Sequence, residues 1–251
     1  MMYAKTTYVA GDTIDVQYTI PRRCVPMASR GARESKTSDA VQKYNLKMAE
    51  RRLTRILNEN FRAGDIHLVL TYAKNSRPET SEQAKKHIRL FNRKLRGYFK
   101  RQGRELKYLY TTAYGTRGAI HHHIVISTMD VREIRAMWPY GGSHAEIMYG
   151  NDFSKLAAYI VKQSKMGLSD AEKLSGKKWS GSRNLVIPEP RRKISQAKRW
   201  RDPPKPIRGY YIDLESVESG VSPVTGMPYL FYRMIKLKTG GNQKYEYTIR
   251  Q

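Results

Sequence analysis

The sequence predicts an α+β fold, in which a central antiparallel sheet carries helices packed on its faces and small β hairpins flank it. Three observations support this class. Two strand-like segments, residues 106–114 and 119–127, enclose the short turn "GTRG", a pattern typical of an antiparallel hairpin. Two longer segments, near residues 38–57 and 80–103, repeat apolar residues at helical spacing. Strands that follow one another without a helix between them favour antiparallel pairing.

The first elements in chain order are a hairpin, a linker and a helix. Residues 3–20 predict the hairpin, with Gly11 and Asp12 as its turn. Residues 21–36 are basic and rich in chain breakers, which indicates a linker or an exposed loop. Ser38 or Asp39 then caps a helix. Its apolar positions at helical spacing are Val41, Tyr44, Met48, Leu53, Ile56 and Leu57.

A strand and a second helix follow. The strand "DIHLVLTY" covers residues 65–72, with Leu68 and Leu70 on one face and His67 on the other. Thr80 and Gln83 have the spacing of a capping box at the start of the helix. Gly103 ends it. Its buried stripe is predicted to be Ala84, Ile88, Phe91, Leu95 and Phe99.

The remaining elements complete three regions of the chain. After the hairpin of residues 106–127, Asp130 and Glu133 cap a short helix that ends at Trp138 and Pro139. Residues 143–149 form a weaker strand, and Asp152 caps a further helix. Past Gly167 the chain is basic and rich in proline, and a second hairpin follows in residues 209–237. We therefore divide the chain into an N-terminal hairpin and basic linker (1–37), a core (38–168) and a basic segment with a C-terminal β hairpin (169–251).

The composition indicates an acidic partner. The formal net charge is +25 over 251 residues, and so large an excess repels itself unless something acidic is bound. Lys and Arg reach phosphates and the interleaved Tyr residues can stack on bases, so nucleic acid is favoured over a merely solvated basic surface. The candidate nucleic-acid-binding residues are Arg22, Arg23, Lys155, Lys177, Lys178, Arg183, Arg191, Arg192 and Lys193.

Other compositional signals narrow the class further. Cys24 is the only cysteine, so a disulfide framework and a CxxC zinc site are both excluded. No apolar run is long enough to cross a bilayer, and the first residues lack the apolar segment of a signal peptide. We expect an intracellular protein with no membrane partner, in the cytoplasm of a bacterial host.

Three consecutive histidines lie in the strand "AIHHHIVIS". Alternation along the strand places His121 and His123 on one face and His122 on the opposite face, with the isoleucines. Two imidazoles two residues apart on a rigid strand can bind one metal ion, although an isolated pair is more often a structural cluster. His122 is most simply a packed or hydrogen-bonded core residue.

The downstream helix adds a candidate nucleophile. Tyr159 and Lys162 are three residues apart and share a helical face, which Lys155 extends. A tyrosine at the edge of the core is the alternative interpretation. The combination of a histidine strand and a helical Tyr-x-x-Lys favours a catalytic pair, in which Tyr159 is the nucleophile and Lys162 orients or stabilises the reacting charges.

These motifs, in this order, resemble the HUH endonucleases, and most closely the rolling-circle replication initiator (Rep) proteins of Firmicutes plasmids and mobile elements. Residues 63–72 resemble the first family motif, and residues 118–127 the histidine–hydrophobic–histidine motif, with His122 in the normally apolar place. Residues 156–163 resemble the tyrosine motif, and residues 177–185 a segment that often follows it. The resemblance implies a nuclease core that nicks and rejoins DNA through a covalent 5′-phosphotyrosine and leaves a 3′-hydroxyl to prime synthesis.

The resemblance also implies a glutamate as third metal ligand, at the position that Ala113 occupies here. Ala cannot bind a metal, so another group completes the site or the site is weakened. Glu146 and His67 are the candidates. The two imidazoles suit Mn²⁺ better than Mg²⁺, which prefers oxygen ligands, and either ion would neutralise the charge of the phosphate.

The expected partner is single-stranded or hairpin origin DNA, bound by the basic residues. The chain has no GxxxxGK[ST] motif, so we expect a host helicase to unwind the DNA and a host polymerase to extend it. Three alternatives remain open from the sequence: an HUH-type transposase or relaxase of the same chemistry, a non-catalytic basic protein that binds DNA or RNA, and a structural zinc protein, which the lack of cysteine disfavours.

Overall fold

A computed structural model describes residues 2–21, 38–115, 119–164, 179–197 and 199–237. Within these ranges the chain forms two antiparallel five-stranded sheets and four α-helices, which confirms the predicted α+β class. The strands are β1 (Tyr3–Ala10), β2 (Thr13–Thr19), β3 (Ile66–Thr71), β4 (Tyr108–Tyr114), β5 (Ile120–Ile126), β6 (Ser143–Ile147), β7 (Ser180–Gly181), β8 (Arg191–Ser195), β9 (Tyr210–Val221) and β10 (Pro228–Lys236). The helices are α1 (Asp39–Asn60), α2 (Ser81–Arg101), α3 (Val131–Met137) and α4 (Ser154–Gln163).

The core sheet has the strand order β6-β3-β5-β4-β7 and carries helices on both faces. On one face, here called the α2 face, Leu68, Leu70 and Ile124 pack against α2 and α3. On the other, the α4 face, Leu109 and Val125 pack against α1 and α4. Burying one such apolar side chain contributes about 1.5–3 kcal/mol. Since strand residues alternate between the faces, each functional side chain is assigned to one layer by its place in the strand.

Most predicted helix boundaries are confirmed. The hydroxyl of Ser38 accepts from the Val41 N–H at the start of α1, and that of Thr80 accepts from the Gln83 N–H at the start of α2. Asp130 caps α3 in the same way through the Arg132 N–H. Gly103 has a φ of +61° just past the end of α2, a left-handed conformation that glycine adopts without steric cost.

The prediction that Asp152 caps α4 is wrong. The residue at the cap is Phe153, whose N–H donates 2.8 Å to Asn58 Oδ1 on α1. The Asp152 carboxylate instead accepts from Asn58 Nδ2 at 2.8 Å and from Arg233 Nη1 at 3.3 Å. The cap therefore comes from another helix, and short-range sequence patterns do not report such a contact.

The two flanking hairpins form one sheet. The second sheet has the order β8-β1-β2-β10-β9, and β2 pairs with β10 through Val16 opposite Tyr232. The hairpins were each predicted, but their pairing across more than 200 residues was not, because local patterns specify a hairpin and not its neighbour. Strand β8 was also missed, within the basic segment.

Charged contacts join the second sheet to the core. Arg233 on β10 is 4% exposed, and its Nε donates to Asp15 Oδ1 at 2.7 Å. Arg55 on α1 reaches the second oxygen of Asp15 at 3.2 Å. Gly11 is also required here, since a Cβ at this position would lie 2.1 Å from the Asn58 carbonyl oxygen on α1. These contacts connect all three predicted regions of the chain. In the part that the structure describes, no helix has both the length and the apolarity to cross a membrane.

Candidate active site

A group of three imidazoles lies on the α4 face of the core sheet. His121 and His123 project from β5 with their ring centroids 4.9 Å apart. His67 on β3 joins them, because its ring stacks on His123 at 5.6 Å with an interplanar angle of 12°. The group occupies a layer between two strands, where backbone hydrogen bonds fix the spacing of the side chains.

His122 is a core residue, as the alternation predicts. It is 0% exposed, and its Nε2 and Nδ1 each lie 2.9 Å from a hydroxyl, of Tyr72 and Thr112 respectively. The edge of Trp138 packs on the same ring at 5.7 Å. Burial, assisted by neighbouring histidines, lowers the pKa of His122 to about 3. The imidazole is therefore neutral and has a structural role on the α2 face.

His123 is held neutral with a nitrogen available. It is 1% exposed, and burial, followed by the charges of His121 and His67, lowers its pKa to about 3. Its Nδ1 lies 3.4 Å from His67 Nε2. Within the described residues its Nε2 is buried without a hydrogen-bond partner. An unpaired buried nitrogen is costly, and a ligand would relieve that cost.

The other two imidazoles are oriented by acceptors on their Nδ1 atoms. His67 Nδ1 lies 3.5 Å from Glu146 Oε2 on β6, and His121 Nδ1 lies 3.3 Å from the Ala119 carbonyl oxygen. Where Nδ1 carries the proton, Nε2 presents its lone pair. Metal-binding histidines show this arrangement, in which a carboxylate or carbonyl holds the far nitrogen. Burial lowers the pKa of His67, which also favours the neutral ring.

Glu146 belongs to the edge of this group. Besides His67, its carboxylate lies 3.2 Å from His144 Nε2. Hydrogen bonds from His144 and His67 lower the pKa of Glu146, so it is ionised at neutral pH. Its side chain is 62% exposed. The contact with His67 makes Glu146 a partner of an imidazole.

Tyr159 approaches the imidazoles from α4. Its ring is nearly perpendicular to that of His123, with the centroids 5.1 Å apart, and to that of His67, at 6.1 Å. The side chain is 42% exposed, so a bound polymer can reach its hydroxyl. The structure thus brings together the tyrosine and the histidines that the sequence singled out.

The lysines of α4 lie beside this group and not within it. Lys155 and Lys162 are exposed, and among the described residues neither forms an ion pair. Lys155 lines a cleft of about 260 Å³ between α1, α4 and the second sheet. Both charges are available to an anionic ligand that crosses this face.

Ala113 lies directly opposite His121 across the β4–β5 pairing, and it is 1% exposed. A longer side chain here would point into the imidazole layer, as the hairpin pattern suggested. In the described part of the chain, no group of three His, Cys, Asp or Glu side chains is arranged to hold a metal ion. The imidazole layer therefore lacks a carboxylate at the position where one would fit best.

The predicted DNA-binding residues are spread over several elements. Arg183 lines a cleft of about 850 Å³ together with Arg52 and Trp179, between α1 and the edge of β4. Arg191, Arg192 and Lys193 are exposed on β8, an edge strand of the second sheet. The other predicted residues of this group, Arg22, Arg23, Lys177 and Lys178, lie outside the described residues.

Sequence patterns missed two features of the site. The hydroxyl partners of His122, on Tyr72 and Thr112, were not foreseen, because a polar side chain in a strand carries no signal of its cross-strand partner. The stacking of His67 on His123 also depends on the β3–β5 register. His67 could be singled out only as an unusual polar residue in an apolar strand.

The fold and the site define an α+β protein with a tyrosine set against histidines on one face of an antiparallel sheet. The model of a family described as replication-associated protein, of the ORF2 and gene-2-protein type, matches residues 65–164. This segment runs from β3 through α4 and includes every imidazole of the group and Tyr159. The match supports a replication initiator, or Rep-like, protein. Comparisons with curated proteins and with solved structures give no match.

Proposed function

We propose that the protein is a metal-dependent, HUH-type endonuclease that nicks and rejoins single-stranded DNA to initiate rolling-circle replication, as in Firmicutes plasmids and mobile elements. The observation that carries the proposal is the packing of the exposed Tyr159 against His123, at 5.1 Å, within the family-matched segment. A nucleophile and a set of neutral metal-ligand side chains on one open face are what phosphodiester transfer requires.

The chemical step is a transfer of the phosphodiester to tyrosine. The Tyr159 oxygen forms a bond to phosphorus and loses its proton. The bond from phosphorus to the 3′ oxygen breaks, and that oxygen gains a proton. The products are a 5′-phosphotyrosine and a free 3′-hydroxyl. The reaction is reversible because one phosphodiester replaces another, so attack by a 3′-hydroxyl rejoins the strand.

Lys162 would assist the nucleophile. A free tyrosine has a pKa of about 10, so only about one in a thousand is ionised at pH 7. A cation one helical turn away stabilises the developing phenolate and attracts the phosphate. Lys162 lies three residues after Tyr159 and is exposed, which suits this role.

The imidazoles fit a first-row divalent cation. The buried, unpartnered Nε2 of His123 and the oriented rings of His67 and His121 supply neutral nitrogen donors. Mn²⁺ accepts such donors more readily than Mg²⁺. The cation would neutralise phosphate charge during the transfer. His121 and His123 would hold it, and His67 would be the third ligand.

Glu146 is then a positioning residue and not a ligand. Its carboxylate faces His67 Nδ1 and would keep the lone pair of Nε2 directed at the cation. This assignment accounts for Ala113: a third imidazole replaces the missing carboxylate, and the site loses one negative charge. The affinity for Mg²⁺ should suffer most from this replacement.

DNA would be held by cations around the site. Lys155 on α4, Arg183 at the cleft and the basic strand β8 are candidates for phosphate contacts, and the cleft of Trp179 can take a base. Single-stranded or hairpin origin DNA is the proposed substrate. A host helicase and a host polymerase would then act on the nicked strand in the bacterial cytoplasm.

The test is covalent trapping. Single-stranded oligonucleotides labelled at the 3′ end are incubated with the protein and Mn²⁺, and a labelled band that survives denaturing electrophoresis reports the adduct. Tyr159→Phe should abolish the band and leave DNA affinity within about twofold, since only a hydroxyl is removed. Tyr149→Phe is the matched control, because Tyr149 is 77% exposed and outside the imidazole group.

Each outcome separates the alternatives. An adduct that persists in Tyr159→Phe and disappears in Tyr149→Phe would move the nucleophile. DNA binding without any adduct, on oligonucleotides that include the replication origin, would favour the non-catalytic nucleic-acid-binding protein. Joining of the strand to a second DNA molecule in preference to its own 3′ end would favour the transposase.

A further inference from the structure

The exposed side of α2 carries an unbroken row of cations. Lys86, Arg89, Arg93, Arg96 and Lys100 follow one another at spacings of three, four, three and four residues, and all are exposed. At these spacings, side chains lie on one helical face. The opposite side of α2 packs into the core, so the row faces solvent along its whole length. We call it the α2 cation row.

Carboxylates do not neutralise this row. Among the described residues, none of its five members forms an ion pair, and the only acidic residue of α2, Glu82, is bound by Lys85 at 2.6 Å. Arg96 donates to the Tyr108 hydroxyl at 3.0 Å. Like charges at these spacings destabilise a helix, so an anionic partner would relieve a repulsion that the fold leaves in place.

The row lies on the other side of the core sheet from the candidate active site. Phe91, Leu95 and Phe99 of α2 pack on the α2 face. The imidazoles and Tyr159 occupy the α4 face. The thickness of the sheet therefore separates the row from the phosphodiester that Tyr159 would attack, and the row cannot bind that part of the strand.

The chemistry of the row suits a duplex backbone. From residue 86 to residue 100 a helix rises about 21 Å, at about 1.5 Å per residue, a length that spans about six phosphates of one B-form strand at about 3.4 Å each. The aromatic residues Phe91 and Phe99 are buried, so the row offers point charges and no stacking surface for unpaired bases. Fixed spacing on a rigid helix matches a regular duplex better than a flexible single strand.

We propose that the α2 cation row binds the phosphate backbone of double-stranded DNA next to the nicking site, as a second DNA contact that is independent of sequence. This inference rests on the proposed function only in taking DNA as the partner. The protein would hold duplex on one side of the core sheet while it cleaves single strand on the other.

The test compares two variants of the full chain with equal charge. In the first, Lys86, Arg89, Arg93 and Lys100 are changed to Gln, which preserves helix propensity; Arg96 is kept for its bond to Tyr108. In the second, four scattered exposed cations are changed to Gln: Lys43, Arg62, Lys74 and Arg77. Circular dichroism confirms that both variants fold. Fluorescence anisotropy then measures binding to a labelled duplex of arbitrary sequence over a range of NaCl concentrations.

The row variant should bind duplex at least tenfold more weakly at about 0.1 M salt. Its slope of log affinity against log salt should fall by about 3 to 4, since each lost phosphate contact removes about 0.9. The scattered variant should lose less than one unit of slope. Equal losses in both variants would show an effect of net charge alone and overturn the proposal, as would parental binding by the row variant.

Adduct formation on a short single strand gives an independent readout. The row variant should form the Tyr159 adduct at the parental rate, because the row is absent from the α4 face. A large loss of adduct would place the row in the path of the cleaved strand and overturn the proposed separation. If the parent forms no adduct at all, the proposed nicking activity fails, and the comparison of duplex binding still decides the role of the row.

Discussion

Lowering the pH from 7 to 5 should destabilise the metal-free protein, because the fold keeps two histidines neutral. His122 and His123 are 0% and 1% exposed, and burial lowers the pKa of each to about 3, whereas an unfolded histidine has a pKa of about 6.5. Between these values the unfolded chain binds more protons than the folded chain. The free energy of unfolding therefore falls as the pH falls from about 6.5 towards 3.

The magnitude follows from the width of that window. One pKa unit corresponds to about 1.4 kcal/mol. At pH 5, about 1.5 units below the unfolded pKa, each histidine should remove roughly 2 kcal/mol, and the two together at most roughly 4 kcal/mol. Burial also lowers the pKa of His67 and His87, which acts in the same direction. The total is a large fraction of the 5–15 kcal/mol that is typical of folded domains.

Urea unfolding at the two pH values, with a chelator present and followed by circular dichroism, measures the difference. His122→Gln should remove about half of it, because the amide can still bond to the Tyr72 and Thr112 hydroxyls but does not titrate. His144→Gln is the control, since the His144 side chain is 71% exposed. Equal stability of the parent at pH 7 and pH 5 would refute the reasoning, and so would an unchanged pH dependence in His122→Gln.

Three further predictions concern the site and its support. His123→Ala should abolish Mn²⁺-dependent adduct formation, whereas His122→Leu should keep Mn²⁺ binding in calorimetry and lose roughly 2–4 kcal/mol in urea unfolding, because two buried hydroxyls lose their partner; the reverse pattern would exchange the two roles. Ala113→Glu should bind Mn²⁺ more tightly and nick faster, because it adds a charged ligand beside the imidazoles; equal affinity and rate would show a site that is already complete. Asp15→Ala should cost about 3–5 kcal/mol in urea unfolding, because it leaves the buried Arg233 only partly paired; a loss below about 1 kcal/mol would contradict that role.

The arrangement of the site explains why an apolar strand contains three histidines. Neighbouring positions on β5 face different layers, so the same residue type has two functions there. His122 joins two hydroxyls within the core of the α2 face, while His121 and His123 face His67 and Tyr159. Replacing any of the three by an apolar residue should therefore affect either stability or the site, depending on its parity in the strand.

Local sequence patterns determined the elements of this protein. The caps at Ser38, Thr80 and Asp130, the turn at Gly11 and the hairpin around residues 115–118 depend on interactions within a few residues, which short-range rules describe. Strand alternation likewise separated His122 from the two outer histidines. These features depend only on backbone geometry and on neighbours close in sequence.

Only the tertiary structure decided which distant residues meet. The stacking of His67 on His123, the contact of Glu146 with His67 and the pairing of β2 with β10 all depend on sheet register and strand order. Asp152 shows the same limit, because its predicted capping role passed to Asn58 on another helix while its carboxylate turned to Arg233. Such contacts join residues tens to hundreds of positions apart. Their energy depends on the packing of the whole chain, so no local pattern carries the information that specifies them.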